Sequence, residues 1–254
     1  MEEAAVIKAE LADADRDSYT KNIFKSVGFL SLSEQMIYYR LKPDFLNPEN
    51  YLDGGYEDAD RAVAMFLPDY MDLSLARRET IAAVSVRPLN RKFSEELNHR
   101  DYLGALMNLG IERSCIGDIM IDHKEGTGCI FCLKSISEVV ISELTRIRHT
   151  SVNCFIMEEG AEIPAPALEE LKVNVASERT DAVIAAVFNI SRQKAAALID
   201  NEKVFISGRE GVSQGKALKE GDRVSVRGMG KFIYSGVSGS SRKGRLFVNV
   251  SKFV

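Results

Sequence analysis

The residues of this 254-residue chain best equipped for chemistry are cations, and they crowd its last third. From Arg179 to Val254 there are 14 Lys and Arg against 6 Asp and Glu, whereas Met1 to Glu178 carries 19 against 31. A basic end on an acidic body is the charge pattern of a polyanion binder with localised contacts, and the overall charge of -4 conceals it. Arg179 stands just before one predicted helix. Arg192 and Lys194 fall in the first turn of the next, where Ser191 is placed as the N-cap. Cations at that end oppose the helix dipole by about a few tenths of a kcal/mol. A phosphate bound there would meet both side chains and the free backbone N–H groups. Lys203 is expected to join them, with Arg227 and Lys231 on the neighbouring edge. Arg242, Lys243 and Arg245 are expected on a flexible hairpin tip. The plainer alternative is that these charges only solubilise a small domain.

Other constellations carry less. His99-Arg100-Asp101, at a predicted helix start, has groups that could bind phosphate or shuttle a proton. The structural reading is favoured: Asn98 or Asp101 caps the helix, and His99 and Arg100 form at most a secondary polyanion surface. Cys129-Ile130-Phe131-Cys132 has metal-ligand spacing, but three positions along a strand put the two thiols on opposite faces. Neither Cys115 nor Cys154 supplies a second pair, so buried thiols are expected rather than a metal site. Gly208, Gly211 and Gly215 do not form a nucleotide-binding loop. No cofactor is indicated.

Predicted helices and strands along the chain must hold these groups. Residues 1–75 read as a small helical domain, with a helix after Ser33 and a short one from Glu57 to about Phe66. Residues 76–160 alternate as strand, helix, strand, strand, helix, strand. This βαββαβ order is that of ferredoxin-like and RNA-recognition (RRM-like) domains. Base stacking there would require displayed aromatics, for which Phe131 and Phe155 are the candidates, though both could be core. Residues 161–178 read as a linker and edge strand. Residues 179–254 read as two helices followed by short strands, with Arg223, Ser225 and Arg227 on one strand face and Val224 and Val226 on the other. The fold class is α+β.

The composition bounds the setting. A hydrophobic content of 45% is ordinary for a globular protein. No apolar run reaches the roughly 18 residues of a membrane span, so no membrane partner is expected. The acidic start argues against a leader peptide, and four cysteines without disulfide-rich spacing suit a reducing compartment. A cytoplasmic location is the expectation.

Short motifs then match known families. Arg179-Thr180-Asp181, Ser191-Arg192-Gln193-Lys194-Ala195, Val204-Phe205-Ile206-Ser207-Gly208 and Gly221-Asp222-Arg223-Val224 together resemble the S4 (αL-type) RNA-binding domain. Ser207 departs from it, since that family usually has asparagine before the glycine. Gly54-Gly55-Tyr56-Glu57, Asp60-Arg61, Asn98 to Leu106, Gly110-Ile111, Ile116-Gly117-Asp118-Ile119 and Arg227 to Phe232 resemble the bacterial YlmH-like proteins. This resemblance implies a non-enzymatic binder of structured RNA, with rRNA and tRNA on the large ribosomal subunit as partners during rescue of stalled translation. DNA is not expected. The contact set expected from the placement of the cations and their neighbours is Arg179, Asp181, Ser191, Arg192, Lys194, Lys203, Ser207, Lys216, Arg227, Lys231, Arg242, Lys243 and Arg245, with His99 and Arg100 as a possible second surface. An RNA-modifying enzyme of the pseudouridine-synthase type, anchored by such a domain, is the alternative; it needs a catalytic aspartate in a recognisable loop, and none stands out. An interaction scaffold, with the acidic N-terminal half binding protein, is a third possibility.

Overall fold

The computed structural model describes residues 2–57, 59–158, 160–164, 168–206, 213–242 and 244–253. The chain divides into two compact units, Met1–Ala165 and Pro166–Val254. Its class is α+β. No single helix among the described residues is long and apolar enough to cross a membrane.

The first unit begins with helix α1 (Glu2–Lys21) and strand β1 (Lys25–Leu30), followed by α2 (Leu32–Leu41), β2 (Asn50–Asp53), β3 (Ala62–Phe66) and α3 (Leu73–Thr80). The expectation of a small helical N-terminal domain is corrected here, because β1, β3 and β2 form an antiparallel three-stranded sheet. The stretch expected as a helix up to Phe66 contains its central strand. All five residues of β3 are buried because the strand is covered on both faces: Val63 and Met65 point one way, Ala64 and Phe66 the other. A short continuous apolar run fits either a buried strand or a helix, and the periodicity cannot decide.

Next come β4 (Ile81–Pro88), α4 (His99–Asn108), β5 (Ile116–Asp122), β6 (Thr127–Leu133), α5 (Lys134–Glu143), the short β7 (Arg146–Ile147) and β8 (Thr150–Ile156). Their sheet has the order β5-β6-β4-β8-β7, with every pair antiparallel. The four long strands thus follow the split-βαβ arrangement expected from their order along the chain. Even-numbered residues of β4 (Ala82, Val84, Val86) pack with Tyr102 and Leu106 of α4 and Val140 of α5. The opposite face, with Ile81, Ala83, Cys129 and Phe131, packs on Phe29, Val63 and Met65. The segments read as 1–75 and 76–160 therefore share a core between two stacked sheets.

A polar joint locks those sheets. Arg61 donates to the carbonyl of Phe29, to that of Ile116 at 2.9 Å and to that of Arg113 at 3.2 Å. Asp118 accepts from the Tyr56 hydroxyl and the Asp60 amide, both at 2.7 Å. Burial, with the Arg61 charge beside it, lowers Arg113 to about 10. Gly117 lies where a Cβ would come within 2.6 Å of the Phe29 ring, so its missing side chain makes room for that contact.

The second unit contains β9 (Leu168–Val175), α6 (Thr180–Val187), α7 (Arg192–Asp200), β10 (Val204–Ile206), β11 (Arg223–Val226), β12 (Gly230–Ser240) and β13 (Leu246–Phe253). The strands form one antiparallel sheet in the order β10-β11-β12-β13-β9. Val183, Ile184 and Val187 of α6 and Ala195 and Ile199 of α7 bury one sheet face, including Val224, Val226, Phe232 and Val250. The hairpin tip is shorter than expected. Strand β12 runs on to Ser240 by absorbing two register shifts, and Gly236 and Gly239 lie there at positive φ.

Candidate nucleic-acid interface

A polar cluster of the second unit is centred on Asp181, in the first turn of α6. Its carboxylate is nearly buried, with 4% of the side chain exposed. It accepts from Arg179 at 3.1 and 3.3 Å and from Arg192 at 2.9 and 3.4 Å. Burial by itself pushes the Asp181 carboxyl up; the hydrogen bonds from Arg192 and Arg179 outweigh it and hold the group below its usual range. One carboxylate thus fixes two guanidiniums, while 43% and 49% of those side chains remain exposed. The cluster keeps a net positive charge, and each guanidinium retains further donors, the geometry that suits a phosphate.

The neighbouring residues are set by backbone chemistry. Ser191 caps α7, its hydroxyl accepting from the Lys194 amide at 3.1 Å. Arg192 and exposed Lys194 therefore occupy the first turn of a helix whose dipole favours an anion at that point. The Lys216 carbonyl accepts from both the amide and the hydroxyl of Thr180 at 2.9 Å, which brings Lys216 beside Arg179. The structure thus gathers Arg179, Asp181, Ser191, Arg192, Lys194 and Lys216 around the starts of α6 and α7.

The remaining expected contacts are dispersed. The Arg227 amide donates to the Lys203 carbonyl at 2.8 Å, so these two exposed residues meet beyond the C-terminal end of α7. Lys231 lies on the sheet face turned away from the helices, its Nζ 4.5 Å from the centre of the Phe253 ring. It does not share an edge with the helix starts. The reason is register: Lys231 pairs with Ser225, whose side chain points opposite to core residues Val224 and Val226. Arg242 is exposed at the hairpin tip, but the Arg245 guanidinium is held by the Asn174 side chain at 2.5 Å and the Asn174 carbonyl at 3.0 Å. Ser207 and Lys243 lie outside the described residues.

In the first unit, His99 and Arg100 open α4, and the local chemistry is that of a helix start. The Asn98 side chain accepts from the amides of Arg100 and Asp101, and the Asp101 carboxylate accepts from the Asn98 amide at 3.0 Å. Asp101 also meets Arg148 at 3.5 Å. Of the two stacking candidates, Phe131 is covered: it is 2% exposed and lies 4.8 Å from the Tyr56 ring. Phe155 is half-buried, with Arg87 over its ring at 4.7 Å. Sequence reasoning missed this Arg87–Phe155 pair; the pairing of their strands was the signal needed. Cys129 and Cys132 face opposite cores, and burial pushes both thiols up to about 12.

Comparison with known proteins adds three likenesses. Residues 81–159 match the family described as "Putative RNA-binding domain in YlmH". The chain is 29% identical over 222 residues to the ribosome-associated protein quality control protein P2 of Bacillus subtilis (strain 168), covering 81% of this chain and 84% of that one. A solved structure, titled cell division protein ylmH from Streptococcus pneumoniae, aligns at 20% identity with a TM-score of 0.48, covering 64% of this chain and 93% of that one.

Proposed function

We propose that this chain, YlmH-like over most of its length, is an RNA-binding protein that acts in association with the ribosome. Its C-terminal unit works as an S4-type module that grips structured RNA. The targets are rRNA and tRNA on the large ribosomal subunit, during rescue of stalled translation. It acts by binding rather than by catalysis, in the cytoplasm. The observation that carries this reading is the Asp181 cluster, in which a nearly buried carboxylate orients Arg179 and Arg192 toward solvent beside Lys194. A match to an RNA-binding family over residues 81–159 supports RNA as the polyanion, and the name of the Bacillus relative supports the ribosomal setting.

The test is ultraviolet crosslinking of the full chain in cells, followed by sequencing of the attached RNA. Crosslinks concentrated in large-subunit rRNA and tRNA are expected, together with co-sedimentation of the chain with large subunits. Crosslinks spread over messenger RNA without enrichment, or altered bases at the contact sites, would overturn the target or the non-catalytic reading respectively.

A further inference from the structure

The β5-β6-β4-β8-β7 sheet has one face packed on α4 and α5 and the other packed on the N-terminal sheet, but the second covering is incomplete. Along β4, Ile81 and Ala83 lie under the N-terminal sheet, whereas Arg87, on the same side, is exposed. Strand β8 shares that alternation: Val152 and Cys154 face the helices, and Ser151, Asn153 and Phe155 face the other way. The pairing register places Phe155 opposite Ser85 and Asn153 opposite Arg87. One strand further, Arg146 of β7 stands opposite Ser151. Arg87, Arg146, Ser151 and Asn153 are all exposed, and Leu89, which extends this row, is 68% exposed.

We propose that this uncovered half of the sheet is a second RNA site that takes two or three unpaired nucleotides. The inference rests on the RNA-binding reading and deepens it. Arg87 lies over the half-buried Phe155 ring, 4.7 Å from its centre, and the two form an aromatic–guanidinium pair against which a base can stack. Asn153 and Ser151 offer donors and acceptors to base edges. Arg87 and Arg146 supply the charge for the backbone, and neither has an acidic partner among the described residues. Asp122, at the end of β5, is engaged by the amides of Lys124 and Glu125 in its own turn, at 2.8 and 3.0 Å. The central-strand position of Phe131, buried under Tyr56, takes no part. The site is therefore displaced toward the β4–β8–β7 edge.

The chain contains no tryptophan, which provides a local probe. In the full-length Phe155→Trp variant, an eight-nucleotide uridine-rich single-stranded RNA should quench the indole emission saturably. Adding Arg87→Glu to that variant should weaken the quenching titration about tenfold, the scale of one lost base-stacking contact. A structured hairpin RNA should still bind the Arg87→Glu chain with unchanged affinity, as judged by gel retardation. If the RNA is retarded by the chain but the indole emission does not change, this site is disproved and the C-terminal reading stands. If neither RNA is bound by the unsubstituted chain, both readings fall.

Discussion

Arg61 and Arg113 in the first unit, and Arg179 and Arg192 in the second, are close arginine pairs that differ in where their donors end. Arg61 spends its donors on the carbonyls of Phe29, Ile116 and Arg113, and Arg113 donates to Ile116 at 2.5 Å. These bonds satisfy backbone acceptors at the joint between two sheets, and burial lowers both guanidiniums. Arg179 and Arg192 instead share one carboxylate and keep nearly half of each side chain exposed. The contrast teaches that residue type alone does not identify a binding cation. An arginine consumed by carbonyls belongs to the fold, whereas one oriented by a single acid and left open can serve a ligand. The same contrast sorts the short motifs read from the sequence: Asp60-Arg61 and Ile116-Gly117-Asp118-Ile119 converge on the joint, whereas Arg179-Thr180-Asp181 and Ser191-Arg192 converge on the open cluster.

The largest expected effect comes from breaking the joint. Arg61→Ala leaves three carbonyls without that donor and should destabilise the first unit by about 3 kcal/mol. Thermal or urea unfolding measures it, and RNA affinity below the transition should be unchanged. A normal melting curve would move Arg61 out of the structural class. Next comes the open cluster. Arg192→Ala with Lys194→Ala should weaken binding of structured RNA about tenfold or more, at about 1.4 kcal/mol per factor of ten, while the fold persists by circular dichroism. Unchanged affinity would remove the helix starts from the interface.

The smallest effect concerns Asp181 itself. Its folded carboxyl lies below the usual range, so the ionised form stabilises the folded state. That contribution is present at neutral pH, above the unfolded value of about 3.9, and is lost as pH falls through the lower folded value. Asp181→Asn should cost about 1 kcal/mol or less at pH 7, the range of partly exposed ion pairs. It should also flatten the loss of stability in the acid range below about pH 4. Acid denaturation curves of the two proteins, followed in parallel, would show this; coincident curves would count against the carboxylate as the organising group.

Much of the second unit was legible because each of its signals agrees with the others. The stripe of Val183, Ile184 and Val187, the Ser191 cap and the alternation of Arg223 to Val226 all point to the elements observed. The first unit was less so. Helix α1 buries Leu11, Ala14, Asp15 and Ser18, a face that is half polar because Asp15 and Ser18 serve the loop at Leu46 and Asn47. Such a face lacks the apolar stripe that announces a helix. Within the candidate site, the cations could be listed from sequence, but their sorting could not. Asp181 meets Arg192 across eleven residues only once α6 and α7 turn by 119°. Lys231 is expected from sequence on an edge beside the helix starts; its pairing with Ser225, which a turn and not composition sets, puts it on the sheet face away from the helices.

The central distinction is most directly tested by the salt dependence of binding to a structured RNA, measured in parallel for the unsubstituted chain, Arg192→Ala/Lys194→Ala and Arg61→Met. Neutralising about five phosphates predicts a log–log slope of roughly -3 to -5 for the unsubstituted chain. The slope should become shallower by about one to two in the double variant and stay the same in Arg61→Met. A flat salt dependence, or a slope that moves with Arg61 and not with Arg192 and Lys194, would contradict it.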